Sequence, residues 1–444
     1  MPTLSLKGKI GSITAAAVLL GVGATSFITT AGPAAADPPQ YNGYVGVGSD
    51  TTQDVINALS GFNQNTLFNP IFSDSGNPRS TIVSFDAVPP SGVSDGCITT
   101  RVKSPTFARP QGSGSGQRAL SRSLDNTTWG PNPTATPALQ CAEPGKLISG
   151  LVDFARSSSG PSGGAGTVLT FIPFATDALT YAYSRPTGGA AVTDLTTAEL
   201  NSIYRNNDPA NNPTIITRNG VGVPVIPCGI QTGAGTYASW NGFLGLTSGT
   251  PDSTEDVATS ACRALSTSTS DAITGRFEEN QGNAITDKAA ALPTTGPLAG
   301  AQVIAGFSVS NFISQSNGNV TSQLGTVALG SINSIAPYTG TGSNLSPNSA
   351  FYTSAYSREV YNVVSQQRMI AAGSTGLKEL FISNPTNATL GSGVVGRGLP
   401  ANYTAVICRT GAGSAQETVN KFGFLTPADC GSTTRTAGSR SGTF

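Results

Sequence analysis

Three times along this chain a short apolar run stops at a cluster of glycine and small hydroxyl residues, then resumes with helical spacing. The first instance is YVGVGSDTTQDVINALSGF. Tyr44–Val47 read as a strand, Gly48-Ser49-Asp50-Thr51-Thr52 as a turn, and Val55, Ile56, Leu59 and Phe62 as one face of a helix with Ser49 or Asp50 as its N-cap. The second is RPQGSGSGQRAL, where Ala119, Leu120 and Leu124 predict a short helix capped by Ser115. The third is VPVIPCGIQTGAGTYASWNGFLG. There Val223–Ile226 form the strand, Thr232-Gly233-Ala234-Gly235-Thr236 the turn, and Tyr237, Trp240, Phe243 and Leu244 the helix face. Strand, small-residue turn and helix start are the parts from which α/β proteins build anion sites. Free N–H groups and the helix dipole favour negative charge, glycine admits a ligand to the main chain, and Ser or Thr adds donors.

Taken singly, each turn is as readily a linker or an ordinary helix cap; the recurrence favours the site. Between the second and third turns, KLISGLVDFARSSSGPSG brings Arg156 beside Ser157, Ser158 and Ser159. Arg156 is expected to pair with an anion, against the alternative of a loop arginine tied to a carboxylate. TVLTFIPFATDALTYAYS follows as a pair of apolar stretches with the look of central strands. LTTAELNSIYR then opens with a capping box, Thr196 and Glu199.

The first 36 residues carry Lys7 and Lys9, an apolar core (ITAAAVLLGVG) and a small-residue end (AGPAAAD). This reads as a secretory signal peptide cut near Ala36, which places the mature protein outside the cell or at the exterior of the envelope. No further long apolar run follows, so an integral membrane protein is not expected. The full chain has zero formal net charge, and without a basic surplus a nucleic-acid partner is not expected. Only 11% of residues are charged, but 38% are hydrophobic, enough for folded cores.

Six cysteines, Cys97, Cys141, Cys228, Cys262, Cys408 and Cys430, read as disulfides in an exported chain. Fifteen connectivities are possible; proximity along the chain favours 97–141, 228–262 and 408–430. There is no histidine and no CxxC spacing, so neither a zinc site nor the usual base of a serine or cysteine hydrolase is expected. Glu278 and Glu279 are adjacent, which does not make them face one another, and no cofactor is implied. A binding protein leads over an enzyme. Five N-x-S/T sequons, Asn126 and Asn387 among them, read as chance matches.

In order, these pieces resemble the solute-binding proteins of phosphate-type ABC importers. GVGSDTT (46–52), GSGSGQRAL (112–120), VDFARSS (152–158), FIPFATDALTYAY (171–183), LTTAELNSIY (195–204), GAGT (233–236) and SREVYNVV (357–364) follow the family's sequence of motifs over most of residues 43 to 425. The resemblance implies a periplasmic-binding-protein-like (Venus-flytrap) α/β fold, two lobes joined by two hinge strands, with ligand clamped by closure. Lobe one would comprise 37–174 and 356–430, lobe two 175–355, and 431–444 a C-terminal tail. It further implies phosphate or a related anion as ligand and an ABC importer permease as partner.

Carried over by position, the ligand set is Ser49, Asp50, Thr51, Ser113, Gly114, Ser115, Arg156, Ser157, Ser158, Thr232, Gly233, Gly235 and Thr236. Arg109 and Arg118 are expected to face solvent. Several positions depart from the family pattern. Ile230 and Thr232 stand where an Arg and an Asp often precede the third turn, Ala234 replaces a serine, and Ser158 replaces a carboxylate. Asp50 stands where threonine is usual, and beside a dianion it needs a compensating cation, for which Arg156 is the expected source. A secreted structural or adhesive protein that reuses the fold without a ligand is the competing expectation.

Overall fold

The computed structural model describes Pro38 and residues 43–442 except 62–67, 89–95, 132–140, 142, 162–163, 186–190, 207, 209–210, 231–233, 247–278, 374 and 388–389. The expected signal peptide, Cys262, Thr232 and Gly233 lie outside the described residues.

The protein is α/β, organised on one long mixed sheet. Nine strands make its main path: β1 (Tyr44–Gly48), β2 (Phe72–Gly76), β3 (Arg79–Ser84), β4 (Phe154–Ser157), β5 (Leu169–Ser184), β6 (Thr214–Arg218), β7 (Val221–Cys228), β8 (Gln302–Ser308) and β9 (Ser357–Ser365). Their spatial order is β6-β7-β8-β5-β9-β4-β1-β3-β2. β1 runs parallel to β3 and β4, while β9 is antiparallel to both β4 and β5.

The expected pair of apolar stretches after residue 168 is a single strand of 16 residues, β5. Its residues are apolar, aromatic or β-branched almost throughout, which suits a strand covered on both faces. Pro173 interrupts it with no N–H to give, and the ladder to β9 shifts register there, between Val360 and Tyr361. Leu169–Ala178 pair with β9, and Leu179–Ser184 pair with β8. One strand therefore serves both ends of the sheet.

Separate cores flank the two parts. One gathers Leu179, Tyr181, Ile203, Trp240, Val303, Phe307 and Phe351, all within 178–356. Two others cover opposite faces of the β3-β1-β4-β9 region. Ile56, Leu59, Phe154, Phe174 and Leu380 form the first, and Val45, Val47, Phe107, Leu120 and Phe171 the second. The helices that matter below are α1 (Gln53–Ser60), α2 (Gly112–Asp125), α3 (Thr197–Tyr204), α4 (Gly235–Leu244), α5 (Gly282–Ala290) and α6 (Val309–Ser316). The capping box at Thr196 and Glu199 forms as read, with both reciprocal bonds present.

Residues beyond 430 are integrated into the sheet. Arg435–Ala437 pair antiparallel with Leu169–Phe171 of β5. The following segment lies along α2: Arg440 N donates to Ser121 Oγ at 3.0 Å, and Arg122 Nη1 donates to the Gly442 carbonyl at 2.7 Å. Disulfides join Cys97 to Cys141 and Cys408 to Cys430. Cys228 is disulfide-bonded as well. Among the described residues no helix is long and apolar enough to cross a membrane.

Candidate functional site

The first turn leaves β1 at Gly48, whose φ of +116° is open to glycine and strained for other residues. The helix behind it begins later than its composition implies. Thr52, not Ser49 or Asp50, occupies the N-cap of α1 and makes no side-chain cap bond. Ser49, Asp50, Thr51 and Thr52 are all buried, so the turn points into protein, not solvent.

Arg156 lies beneath this turn. The guanidinium donates to the carbonyls of Ser49 (3.1 Å), Gly48 (3.1 Å) and Gly46 (3.3 Å), and to Ser84 Oγ at 2.8 Å. Carbonyls at the end of β1 need donors, and the β4 arginine in register with Gly48 supplies them. Its expected role as the cation facing a ligand is thereby replaced by a structural one. Burial lowers its pKa to about 10, with Asp86, Asp50 and Asp54 acting in the opposite direction.

The second turn is itself helical. α2 starts at Gly112 with Gln111 as N-cap, so GSGSG forms the first turn of the helix and Ser115 is inside it. The glycines serve packing there. A Cβ on Gly116 would lie 2.6 Å from Gly48 Cα, so α2 rests directly on the end of β1. Ser113 Oγ accepts from Ser158 N at 2.9 Å and sits 3.2 Å from Ser158 Oγ. Ser157 Oγ faces the other way, accepting from Gln117 Nε2 and donating to the Ser159 carbonyl. Gly114 and Ser115 lie on the same first turn of α2. Arg109, expected in solvent, is buried and donates to the Asp86 and Cys97 carbonyls, whereas Arg118 is partly covered and donates to the Ser441 carbonyl.

The third turn closes against the other two. α4 begins at Gly235 with Ala234 as N-cap. A Cβ at Gly235 would lie 2.6 Å from Ser113 Oγ and 2.8 Å from the Ser158 carbonyl carbon. Thr236 Oγ1 is 3.4 Å from Thr51 Oγ1. Ser113, Ser158, Thr51, Gly235 and Thr236 thus meet in one buried place, while Ser49 Oγ, also buried, has no hydrogen-bond partner among the described residues.

Three residues that the motifs did not single out complete this place. Arg358 of β9 donates to Asp177 Oδ2 of β5 through Nη2 (2.9 Å) and Nε (3.2 Å), and its Nη2 also reaches Thr51 Oγ1 at 3.3 Å. Asp177 is fully buried and also accepts from Ser308 Oγ and Ser310 N at the start of α6, where the helix dipole favours a carboxylate. Arg358 Nη1 is buried without an acceptor among the described residues. The third residue is Glu279, just before α5. It accepts from the Thr51 hydroxyl and is 1% exposed. Burial first, then the neighbouring Asp50, holds its carboxyl well above the usual range, with Arg358 and the Thr51 hydroxyl acting in the opposite direction. One charge in the apolar run FIPFATDALTYAY was the available signal for Asp177, since a buried carboxylate requires a partner. No comparable signal marks Glu279.

No family model matches the sequence, and no curated protein matches it. Several solved structures do. An ABC-type phosphate transport receptor from Vibrio cholerae is 14% identical, covering 75% of this chain and 90% of its own, with a TM-score of 0.36. A putative phosphate ABC transporter substrate-binding protein from Clostridium perfringens, solved with bound phosphate, is 11% identical over 75% and 90%, with a TM-score of 0.37. PstS from Borrelia burgdorferi is 12% identical over 86% and 98%, at 0.30. All three lie below a TM-score of 0.5. At such identities they assign no residue here, and the site is read from its own geometry.

Proposed function

We propose that the protein is an exported solute-binding protein that encloses phosphate or a related oxyanion between two lobes, 37–174 with 356–430 and 175–355. One observation carries the reading: the first turns of α2 and α4, the hydroxyls of Thr51, Ser113, Ser158 and Thr236, and the guanidinium of Arg358, whose Nη2 reaches Thr51 and whose Nη1 has no acceptor among the described residues, come together in one buried place. Helix N-termini and hydroxyls suit oxyanion oxygens, and a guanidinium supplies charge. Arg358 takes the part for which Arg156 is unsuited. With no histidine in the chain, binding is favoured over hydrolysis. A permease of the ABC importer type is the partner such a protein would deliver to.

The competing reading, a secreted structural or adhesive protein, draws support from the way the site's hydroxyls bond to one another and to Glu279. Titration calorimetry on the mature, disulfide-intact protein with phosphate, sulfate and other oxyanions separates the two. Saturable binding, weakened roughly 5–15-fold by Ser113→Ala or Thr236→Ala through loss of about 1–1.5 kcal/mol, supports the binding reading. Failure of every oxyanion to bind supports the structural one.

A further inference from the structure

Asn362 is fully buried within β9, and neither end of its amide has a hydrogen-bond partner among the described residues. The sheet fixes which way it points. Asn362 stands directly opposite Ile172 of β5, and Val364 stands opposite Thr170. Residues opposite one another in an antiparallel pair share a face. Ile172 and Val364 both belong to the core of Ile56, Leu59 and Phe154, so Asn362 and Thr170 face that same core. Thr170 is fully buried too, and its hydroxyl has no partner among the described residues. The two residues are diagonal neighbours, which places their Cα atoms about 7–8 Å apart and their side chains closer. Gln366 follows two residues after Val364, its backbone N–H donating to the Val168 carbonyl, and its Oε1 is buried and unpaired among the described residues as well. We propose that an internal water site lies between β9 and β5 on this face of the sheet, held by the Asn362 amide and the Thr170 hydroxyl. It shares no residue with the anion site and stands whether or not an anion binds.

The inventory of donors and acceptors selects water. Asn362 Oδ1 needs a donor and Nδ2 an acceptor, while the Thr170 hydroxyl can act as either. A small anion would satisfy Nδ2 and leave Oδ1 bare, and a metal ion would do the reverse. Water both gives and accepts. The span fits as well, since two hydrogen bonds of about 2.9 Å through one water join atoms roughly 5–6 Å apart. Arg156 of β4 stands opposite Asn362, but its guanidinium turns to Ser84 and to the carbonyls of Gly46, Gly48 and Ser49. Phe154, opposite Val364, leans toward β1 in the same way: a Cβ on Gly46 would lie 2.1 Å from its ring. Both large β4 side chains on this face thus turn away from Asn362. Left dry, a buried amide and a buried hydroxyl each carry the full cost of desolvation. A water bonded to both removes that cost and gives up little entropy.

The test pairs a high-resolution crystal structure of the mature protein with denaturant unfolding of Thr170→Val, which keeps the side chain's shape and removes its hydroxyl. A bridging water predicts density within hydrogen-bond distance of both Asn362 and Thr170. It also predicts that Thr170→Val raises the unfolding equilibrium constant about fivefold, because water and amide then lack a partner. In a dry site valine removes an unpaired polar group, and the constant falls instead. Asn362→Leu and the double variant complete a cycle: the double variant replaces both polar ends, so it should unfold about fivefold less readily than the two single effects combined. Density and Thr170→Val decide the matter even if Asn362→Leu does not fold. No density at the site, anomalous signal marking an ion there, a constant for Thr170→Val at or below that of wild type, or independent effects in the cycle overturns the proposal.

Discussion

Substituting alanine at Gly235 tests whether the apposition of α4 with Ser113 and Ser158 is the ligand-holding state. The added Cβ would stand 2.6 Å from Ser113 Oγ and 2.8 Å from the Ser158 carbonyl carbon. A serine hydroxyl can rotate away, but the carbonyl carbon belongs to the backbone following β4 and moves only with it. Overpacking of this kind costs about 1–3 kcal/mol. The three hydrophobic cores do not include this contact, so the penalty falls on closure and not on the folding of either part. If ligand is held by closure, affinity drops by the same free energy, about 5–150-fold, with little change in thermal stability. Gly242 on the same helix is the control: a Cβ there meets nothing within 4 Å. Gly242→Ala should leave affinity unchanged and add up to about 1 kcal/mol of stability through helix propensity. Calorimetry and thermal unfolding of wild type and both variants decide the matter. Equal affinity for Gly235→Ala and wild type would refute the reasoning.

Further outcomes follow from the same geometry. Arg358→Leu leaves Asp177 buried without its ion-pair partner and should destabilise the protein by about 3–5 kcal/mol, measured by denaturant unfolding; a loss below about 1 kcal/mol would mean the pair is unimportant. Reducing the disulfides removes loop constraints of 44 and 22 residues, worth about 4 and 3 kcal/mol in the chain-entropy estimate, and single Cys-to-Ser pairs at 97/141 and 408/430 should rank in that order. Ending the chain after Thr434 removes the added strand and the contacts along α2; roughly 1–3 kcal/mol should be lost, with faster amide exchange in α2, and unchanged exchange would show that the tail does not brace the helix. Asp54 is partly exposed but set among protein groups, and its carboxyl is pushed up to about 7 by burial and then by Asp86. The folded state then binds more protons than the unfolded one between about pH 4 and pH 7, so this group lowers stability as pH rises through that window. Asp54→Asn should flatten that slope and gain on the order of 2 kcal/mol at pH 8, allowing for its exposure.

What could be read from residues alone was local. Val55, Ile56 and Leu59 after Tyr44–Val47 fixed a strand, turn and helix, and Thr196 with Glu199 fixed the start of α3, because period and capping act over a few residues. Element starts were harder. GSGSG reads as a loop by glycine content, yet it is the first turn of α2, because Gly116 has to pass against Gly48. Arg156 reads as an anion partner beside three serines, but the strand-end carbonyls of Gly46 and Gly48 claim it. The remaining members of the site were illegible for a simple reason. Arg358 meets Thr51 across 307 residues and Glu279 meets it across 228; no local pattern carries that pairing. The length of β5, which brings Asp177 beside Arg358, comes from pairing with two different neighbours and so exists only in the assembled sheet.

A crystal structure of the mature protein grown with phosphate tests the central claim most directly. The account predicts tetrahedral density between the first turns of α2 and α4, bonded by Ser113, Ser158, Thr236 and Arg358 Nη1. Its contradiction is a phosphate-grown crystal in which Thr51 still meets Thr236, Ser113 still meets Ser158, and no anion lies between them.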